Sequence, residues 1–354
     1  AFVEFAHPHP EDLARLFAKM GFVPVLKHRD GMVTIYRQGD IDFIITSRPG
    51  SHALRFAETH GPSAPAMGWR MVDSEKALRL ATERGAEIYC EDDKTFDAPA
   101  IQGIGGSLIY FMDRDADDLA RYGTAFEPIE DGPIEDAPEG SGAMGFSYID
   151  HLTHNVQRGN MDQWFSFYAD IFNFRQIRFF DIEGKHTGLF SRALTSPCGR
   201  IRIPINESAD ETSQIEEYLR DYKGEGIQHI ALGTNDLYAG VDQLAANGIQ
   251  FMPAPPDTYY ESSHKRVPGH AEPVAKMQEH GILIDGEGVV EADGAERPST
   301  RILLQIFSKT LIGPIFFEFI QRKGDDGFGE GNFRALFESI EEDQIRRGVI
   351  APAA

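Results

Sequence analysis

Two stretches of the chain repeat one pattern of residues, and this duplication limits the possible folds more than any other feature. Near the N-terminus the segments FVEFAHP, AMGWRMVDSEKALRLATERGAEIY and LIYFMDR follow one another. Later the segments YIDHLTH, HIALGTNDLYAGVDQLAANGIQF and FFEFIQR match them in the same order. Self-similarity of this kind indicates a duplicated structural unit. The sequence therefore predicts two halves with the same architecture.

Each half begins with a strand and a helix and then repeats this order. Apolar residues alternate in the strand segments and recur three and four residues apart in the helical segments. The segments are 2–5, 10–22, 67–71 and 74–84 in the first half, and 148–152, 160–174, 229–232 and 237–247 in the second. This order predicts an α+β fold of tandem βαβββ modules, two in each half.

The two halves are divided by residues 126–145, which are rich in proline, glycine and acidic residues and lack apolar periodicity. Such composition is typical of a linker or a surface loop. We therefore predict a first domain at 1–125 and a second at 146–354. The second domain also contains a long irregular stretch at 253–300, whose acidic, glycine-rich part from 285 onward is typical of an exposed hairpin or loop.

Composition and charge narrow the class of function. The chain has 354 residues, 41% hydrophobic and 25% charged, which is enough for two cores. Its net charge of -22 argues against nucleic acid or an anionic membrane as a partner, because phosphate groups would be repelled. Cys90 and Cys198 lie in different halves, and no segment resembles a signal peptide or a membrane span. We expect a cytoplasmic protein.

Three residues of the second half are typical metal ligands, namely His151, His229 and Glu318. The alignment of the two halves places them opposite Phe5, Ala66 and Tyr110. Two imidazoles and one carboxylate form the set that holds non-haem Fe(II) and leaves positions open for substrate and dioxygen. A lone buried histidine is more often a core residue with a hydrogen-bond partner. If these three residues only stabilised the fold, however, we would expect the first half to carry them as well.

The alternation of side chains along a strand predicts which faces carry these ligands. We expect each ligand to share its face with the residues two positions away. These neighbours are Ile149 and Thr153 for His151, Ile227 and Ala231 for His229, and Phe316 and Ile320 for Glu318. The same alternation places His154 on the face opposite His151, and Gln228 on the face opposite His229.

Several longer motifs resemble one known family. IDHLTHNV, RIPINE, GEGIQHIAL, LLQIFS and FFEFIQRKGDDGFGEGNFRALFESIE are similar to motifs of the 4-hydroxyphenylpyruvate dioxygenase family, in this order and over nearly the whole chain. The resemblance implies the vicinal oxygen chelate fold of glyoxalases and extradiol dioxygenases. In that fold paired βαβββ modules curl around a metal, so we expect two half-open barrel domains.

The resemblance also implies roles for individual residues. His151, His229 and Glu318 would hold Fe(II). The substrate would contact Ser191, Asn206, Gln214, Gln228, Gln305, Phe307, Phe316, Phe328, Phe333 and Leu336. Of these, Gln228, Gln305 and Phe333 would also take part in catalysis. Aromatic walls suit a phenol ring, and amide side chains suit its hydroxyl group without adding charge.

The implied reaction is oxidative decarboxylation, ring hydroxylation and side-chain migration of 4-hydroxyphenylpyruvate. With dioxygen it gives homogentisate and carbon dioxide, in tyrosine and phenylalanine catabolism. The resemblance also implies a homo-oligomer, either a tetramer or a dimer.

Three alternatives stay open. Hydroxymandelate synthase has the same ligands and substrate, but Pro204, Asn206 and Phe333 are typical of the homogentisate-forming enzyme. An extradiol catechol dioxygenase would usually have a histidine and tyrosine acid-base pair and would leave the segment GFGEGNF unexplained. A non-enzymatic binding protein of the same fold would not need a complete metal set.

The C-terminal segment has helical periodicity. Phe333, Leu336, Phe337 and Ile340 recur at i, i+3, i+4 and i+7, which predicts an amphipathic helix. We expect this helix to be a lid over the metal pocket, with the glycines at 324, 327, 329 and 331 as its hinge. The alternative is a helix that is docked permanently on the barrel.

Overall fold

The chain folds into two eight-stranded sheets, one in each half, with helices on one face of each. The structure is a computed structural model. It describes residues 2–129, 144–183, 187–287, 301–329, 331–332, 344–345 and 347–348. Within this part of the chain no helix is both long enough and apolar enough to cross a membrane.

The first half has eight strands and four helices. In order they are β1 (Phe2–Ala6), α1 (Pro10–Lys19), β2 (Val23–His28), β3 (Val33–Gln38), β4 (Ile41–Thr46), α2 (His52–His60), β5 (Ser63–Met71), α3 (Ser74–Glu83), β6 (Ala100–Gln102), β7 (Leu108–Asp113), α4 (Asp118–Tyr122) and β8 (Phe126–Pro128). A 3-10 turn, Ile104–Gly106, precedes β7.

The described part of the second half has eight strands and six helices. In order they are β9 (Phe146–Val156), α5 (Met161–Phe172), β10 (Arg175–Glu183), β11 (Gly188–Thr195), β12 (Arg202–Ser208), α6 (Gln214–Tyr222), β13 (Gly226–Thr234), α7 (Leu237–Ala246), α8 (Asp257–Glu261), α9 (Ser263–Arg266), α10 (Val274–His280), β14 (Leu283–Glu287), β15 (Arg301–Ile312) and β16 (Ile315–Lys323).

The order of strands confirms the duplication. It is β6-β7-β5-β1-β4-β3-β2-β8 in the first sheet and β10-β11-β12-β9-β13-β16-β15-β14 in the second. When the second order is reversed, β15, β16, β13, β9, β12, β11 and β10 correspond to β6, β7, β5, β1, β4, β3 and β2. The parallel pairs correspond as well, because β1 pairs with β4 and β5 with β7 as β9 pairs with β12 and β13 with β16.

The equivalent helices α3 and α7 begin in the same way. Asp73 accepts a hydrogen bond from the backbone N–H of Lys76, and Asp236 accepts one from Ala239. Such N-caps satisfy a backbone donor that the first turn of a helix leaves free, and each stabilises a helix by about 1 kcal/mol. Both helices begin where the sequence predicted them.

Two irregular segments hold more structure than the sequence predicted. The predicted linker, 126–145, begins with β8, which pairs with β2. Of the stretch 253–300, residues 257–287 form α8, α9, α10 and β14. Their many turn residues hid these short elements, and β14 depends on pairing with β15, which sequence periodicity does not show. The remainder of that stretch, 288–300, lies outside the described residues.

The helix-bearing faces of the two sheets meet in one hydrophobic core. Phe43 of β4 and Phe317 of β16 lie across this boundary, with ring centroids 5.9 Å apart. Backbone groups join the halves too, since Asp40 N donates to the carbonyl of Ser147 at 2.8 Å. The opposite face of each sheet is therefore the one that remains for a site.

The strand register corrects one part of the repeat alignment. Phe2 pairs with Gly68 in the first sheet, and His151 pairs with Ala231 in the second. Gly68 and Ala231 are equivalent, because each lies five residues before the aspartate that caps α3 or α7, and they pair in turn with Tyr110 and Glu318. The counterpart of His151 is therefore Phe2. The predicted match to Phe5 is wrong. Because β9 has eleven residues and β1 only five, the similarity of the two segments did not determine which residues are equivalent.

The other two matches are confirmed. Glu318 corresponds to Tyr110, and His229, which pairs with Thr153, corresponds to Ala66, which pairs with Glu4. Phe5 instead faces the helices, with its ring centroid 5.1 Å from those of Phe17 and of Phe43.

Candidate metal centre and substrate pocket

Three neighbouring strands bring His151, His229 and Glu318 together. His151 lies on β9, His229 on β13 and Glu318 on β16, and all three are buried, with 4%, 4% and 2% of their surface exposed. The Nε2 atoms of the histidines are 3.3 Å apart. Glu318 Oε2 is 3.1 Å from His151 Nε2 and 3.4 Å from His229 Nε2. Ligands about 2.1 Å from one ion and at right angles lie about 3 Å apart, so these spacings fit a facial set.

A β-bulge precedes each histidine. Register shifts between Ile227 and His229, and between Ala231 and Leu232, leave Gln228 and Asp150 without a partner on the opposite strand. A bulge re-aims side chains and breaks the alternation of faces. Ile149 and Ile227 therefore contact the helix-side core, and the prediction that they share a face with the ligands is wrong. The regular alternation predicted for Phe316, Glu318 and Ile320 is confirmed, because Phe317 and Phe319 lie in that core.

The two bulged residues hold the imidazoles. His151 Nδ1 lies 2.8 Å from Asp150 Oδ1, and His229 Nδ1 lies 3.0 Å from Gln228 Oε1. Because both partners are acceptors, each histidine directs an N–H at Nδ1 to its partner and turns its Nε2 atom toward Glu318. These are the orienting partners that sequence alternation could not assign, since it placed Gln228 on the far face.

The electrostatics of the three ligands favour a cation. Burial would raise the pKa of Glu318, but the charge and hydrogen bonds of His151, and those of His229, lower it to about 2. Burial likewise opposes a charge on His151, yet Glu318 and Asp150 raise its pKa to about 9. Burial lowers the pKa of His229. The carboxylates that favour a proton on His151 would equally favour a divalent ion between the ligands.

Arg322 anchors the partner of His151 and the loop that follows β16. It donates to Asp150 through Nε at 2.7 Å and through Nη2 at 2.8 Å, and its Nη1 donates to the carbonyls of Asp325 and Gly327. Burial opposes ionisation of Asp150, but Arg322 outweighs it and holds the pKa of that carboxyl far below its ordinary value. The anchored loop carries Phe328, whose ring lies edge-on to His151 at 5.4 Å.

A small cavity opens beside the three ligands. Besides the ligands it is lined by Thr153, Phe180, Ser191, Pro204, Asn206, Gln305, Phe307 and Phe328. Thr153 Oγ1 and Asn206 Oδ1 are buried there and have no hydrogen-bond partner among the described residues. A buried polar atom without a partner is costly, so these atoms suit the polar groups of a bound molecule.

The structure brings together most of the residues that the resemblance assigned to the substrate. Ser191, Asn206, Gln305, Phe307 and Phe328 line the cavity. Phe316 stacks on His229, with ring centroids 4.9 Å apart, and Gln228 accepts a hydrogen bond from Asn206 Nδ2 at 3.4 Å. Phe333 and Leu336 lie outside the described residues, as do Phe337 and Ile340 of the predicted lid helix.

Gln214 is placed elsewhere. It is the first residue of α6, directly after the N-cap Ser213, and it lines a cleft between the two halves of the chain. Gln214 is not among the residues that line the metal cavity. Gln228 and Phe316 also border this cleft. The sequence interpretation missed Thr153, Phe180, Asp150 and Arg322. Of these only Thr153 had a signal, since it lies two residues after His151.

Comparisons with known proteins agree with this geometry. A family model described as hydroxyphenylpyruvate dioxygenase, HPPD, N-terminal matches residues 1–127. A second, described as the glyoxalase/bleomycin resistance protein/dioxygenase superfamily, matches residues 148–265. Among solved structures, a triple mutant of 4-hydroxymandelate synthase from Streptomyces coelicolor matches with a TM-score of 0.78 and 23% identity, over 97% of this chain and 98% of that one. That likeness shows the fold, and the vicinal oxygen chelate architecture is confirmed.

Relatives with higher identity show the family. Hemolysin VllY of Vibrio vulnificus is 54% identical over 342 residues, which are 96% of this chain and 92% of that protein. The 4-hydroxyphenylpyruvate dioxygenase of Pseudomonas aeruginosa is 54% identical over 354 residues, which are 99% of this chain and 95% of that enzyme. Together with the N-terminal family model, this identity shows that the chain belongs to the 4-hydroxyphenylpyruvate dioxygenase family.

Proposed function

We propose that the chain binds Fe(II) through His151, His229 and Glu318 and converts 4-hydroxyphenylpyruvate and dioxygen to homogentisate and carbon dioxide. The observation that carries this proposal is the facial set of three buried ligands at one side of a cavity with aromatic and amide walls. Named relatives support the same activity. In the cell the reaction would belong to tyrosine and phenylalanine catabolism.

The donor set fits iron. Two imidazole nitrogens and one carboxylate oxygen on one side of the ion are the ligands of non-haem Fe(II) oxygenases. Bound Fe(II) would supply open coordination positions for the carboxylate and keto oxygens of the 2-oxo acid and for dioxygen. Asp150 and Gln228 keep the two Nε2 lone pairs directed at the ion, and Gln305 holds Glu318 through a 2.7 Å hydrogen bond from Nε2 to Oε1.

The cavity suits a phenol with an acidic side chain. Phe307 and Phe328 offer ring faces and edges, and aromatic contacts of this kind add about 0.5–1.5 kcal/mol beyond area burial. Ser191 and Asn206 are buried and polar, and they pair across β11 and β12. We assign the phenol hydroxyl to these groups together with Gln228. The burial of these groups would also limit the access of water to the reacting atoms.

The C-terminal segment would close this cavity. We propose that residues 331–348 form a lid helix whose Phe333 and Leu336 complete the pocket wall. At the far end Gln344 Nε2 donates to Glu217 Oε2 at 2.9 Å, and Arg347 pairs with Glu217 of α6. Removal of residues from 333 onward should leave metal binding intact but uncouple dioxygen consumption from product formation. Equal product yield per dioxygen would contradict the lid.

One assay separates the candidate activities. The purified protein is incubated with Fe(II), 4-hydroxyphenylpyruvate and air, and the products are separated by chromatography while dioxygen is measured. Homogentisate with one dioxygen consumed per product is the expected result. Hydroxymandelate would indicate a synthase, cleavage of a supplied catechol would indicate an extradiol enzyme, and no dioxygen uptake would indicate a binding protein.

We also propose that the chain forms a homo-oligomer, either a tetramer or a dimer. The proposal rests on the family to which it belongs. Light scattering coupled to size-exclusion chromatography measures the mass directly, and a particle close to the monomer mass of 39.4 kDa would contradict it.

A further inference from the structure

A chain of hydrogen bonds leads away from Glu318 to residues that do not line the metal cavity. Glu318 Oε2 faces the two histidines, and Glu318 Oε1 accepts from Gln305 Nε2 at 2.7 Å. Asn332 Nδ2 donates to Gln305 Oε1 at 2.8 Å, and Asn332 Oδ1 lies 2.7 Å from the hydroxyl of Tyr259. Glu318, Gln305 and Asn332 are 2%, 3% and 0% exposed.

The carboxylate fixes the direction of every bond in this chain. An ionised carboxylate only accepts, so Gln305 must present its N–H to Glu318 and its oxygen to Asn332. Asn332 must then present its N–H to Gln305 and its oxygen to Tyr259. In this orientation Asn332 Oδ1 also lies 2.9 Å from the Ile284 carbonyl oxygen. The reverse orientation of the amide would turn that contact into a hydrogen bond and accept from Asp285 N–H at 3.3 Å, but it would set the oxygens of Asn332 and Gln305 against each other 2.8 Å apart beside the charged carboxylate. The orientation that satisfies Glu318 is therefore the one in which all three amide and carboxyl groups cooperate.

Tyr259, at the outer end of this chain, is itself held in place. The hydroxyl of Tyr259 accepts from the backbone N–H of Ile284 at 2.9 Å. The guanidinium of Arg266 lies 3.9 Å from the centre of the Tyr259 ring and donates to the carbonyls of Tyr259 and Ile284. These three residues belong to α8, α9 and β14, the elements found within the irregular stretch 253–300. That stretch therefore supplies the support at the outer end of the chain.

The segment after β16 passes directly over Gln305. Gly329 has a positive φ of 70°, and a Cβ at this position would lie 2.3 Å from Gln305 Oε1. Gly331 N donates to Asp285 Oδ2 at 3.0 Å, which places the next residue, Asn332, against the amide of Gln305. Only glycine permits so close an approach with this backbone conformation.

We propose that Asn332 is a positioning residue for the metal ligand Glu318, acting through Gln305. It holds the Gln305 amide so that one oxygen of Glu318 is occupied by a hydrogen bond and the other is left to the metal. Tyr259 in turn holds Asn332. The inference rests on the proposed function, because it concerns how Glu318 binds the ion. Groups that orient metal ligands commonly change metal affinity by about 10- to 100-fold.

The test compares Asn332→Asp, Asn332→Ala and Tyr259→Phe with the unaltered protein. Co(II) serves as a probe because its visible absorption reports the number and geometry of ligands. The affinity for Co(II) and the absorption spectrum are measured by titration in the absence of substrate, and the melting temperature of each variant is recorded. The control is Asn160→Ala, which removes a hydrogen bond of 2.6 Å from an amide to the buried carboxylate of Glu225, away from the metal site.

The expected losses of Co(II) affinity follow a fixed order. Asn332→Asp places an acceptor against the oxygen of Gln305, so its Co(II) affinity should fall the most, by about 100-fold, and its spectrum should change. Asn332→Ala should lose about tenfold. Tyr259→Phe, which removes one hydroxyl and leaves the bond from Asn332 to Gln305, should lose less than tenfold. Asn160→Ala should bind Co(II) normally even if its melting temperature falls.

Two results would overturn the inference. Normal Co(II) affinity and spectrum in the Asn332 variants would show that Asn332 only holds its own segment in place and does not position Glu318. If these variants do not fold, Tyr259→Phe decides alone, and an unchanged Co(II) affinity and spectrum there would show that the hydrogen bonds beyond Gln305 do not position Glu318. Failure of the unaltered protein to bind Co(II), or binding that survives His229→Ala, would refute the proposed function instead.

Discussion

The two halves of the chain have equivalent sheets, but the face that carries the metal ligands in the second half is filled by side chains in the first. In the first half Phe2, Ala66 and Tyr110 occupy the positions of the three metal ligands, and aromatic side chains fill the space between them. The ring centroid of Phe2 lies 5.2 Å from Phe96 and 5.8 Å from Tyr110. In the second half the same face surrounds a cavity. The fold does not need the ligands, because the equivalent sheet of the first half has buried hydrophobic residues at the same positions.

The buried carboxylates differ in the same way. Glu4 of the first half has hydroxyl donors but no guanidinium in hydrogen-bond contact among the described residues, and burial raises its pKa. Glu318 faces two imidazoles, and its pKa is lowered to about 2. In the first half burial therefore opposes ionisation of the carboxyl group and raises its pKa, while in the second half the imidazoles favour the negative charge and lower the pKa. A charge that is retained at the cost of burial indicates a site for a cation.

Removal of one metal ligand should have the largest effect on the difference between the two halves. His229→Ala deletes one of three protein donors, so the affinity for Fe(II) should fall by more than about 100-fold and turnover should be lost. The apolar strand around it is unchanged, so the fold should survive. Metal content after dialysis, with circular dichroism of the same sample, measures both.

The matched control in the first half is Ala66, the counterpart of His229. Ala66→Ser should leave one iron per chain and normal homogentisate formation. Metal bound in the first half, or normal dioxygen uptake by His229→Ala, would contradict the assignment of the two interiors.

The second prediction concerns the stability that the filled interior provides. Phe2→Ala removes a ring that is 1% exposed, and truncations of buried phenylalanine cost about 3–5 kcal/mol of unfolding free energy. Activity per folded molecule should be unchanged, because this ring lies in the other half. Phe328→Ala, by contrast, should reduce turnover with a smaller stability loss, since Phe328 is half-buried beside His151.

Urea denaturation gives the unfolding free energy, and initial rates give the turnover. A loss of specific activity in Phe2→Ala at a temperature where it is fully folded would show that the first half contributes to the chemistry.

Sequence patterns predicted the architecture because the repeat carries it. Two sets of matching strands and helices require two similar sheets. The three ligands stood out because the first half does not have two histidines and a carboxylate at the equivalent positions. The longer irregular parts were not predictable in this way. The helices α8 and α9 have fewer than six residues each, too short for any periodicity to indicate them.

The details of the metal centre depend on features that sequence alternation cannot show. Bulges at Asp150 and Gln228 turn both side chains toward the histidines that follow them, and a bulge leaves no mark in the pattern of apolar residues. Arg322 and Asn332 reach the site from the loop and strand end after Glu318. Their roles appear only when β16 is placed beside β9 and β15. The substrate contact of Gln214 stays a prediction, because this residue borders the neighbouring cleft together with Gln228 and Phe316.

The third prediction compares two buried aspartates with similar partners. Asp150 accepts from both sides of the Arg322 guanidinium and from His151, while Asp42 accepts from Arg37 and Tyr122. Asp150→Asn should lower metal affinity and turnover by about 10- to 100-fold, because His151 loses the acceptor that orients it. Asp42→Asn should lower the melting temperature without changing either. Equal activities in the two variants would show that Asp150 is only a structural partner of Arg322.

The smallest expected effect is a change in the pH dependence of stability from Glu4→Gln. Burial raises the pKa of Glu4 above its ordinary value of 4.5, although Thr46, Thr95 and the charge of Arg48 oppose the shift. The folded protein therefore holds this proton more tightly than the unfolded chain does. The resulting contribution to stability is complete below the unfolded pKa and is lost as the pH rises through the folded pKa. Glutamine is neutral throughout and keeps the oxygen that both threonines donate to.

Urea unfolding at pH 4, 6 and 8 measures this effect. The unfolding free energies of Glu4→Gln and the unaltered protein should be closest at pH 4, and the variant should gain relative stability as the pH rises. Its metal content and turnover should match those of the unaltered protein at every pH, because Glu4 lies in the filled interior with Tyr110 and not at the ligands. A difference that does not change with pH would mean that the pKa of Glu4 is the same in the folded protein and the unfolded chain. In that case both halves would keep a buried negative charge, and the contrast between their interiors would rest on packing alone.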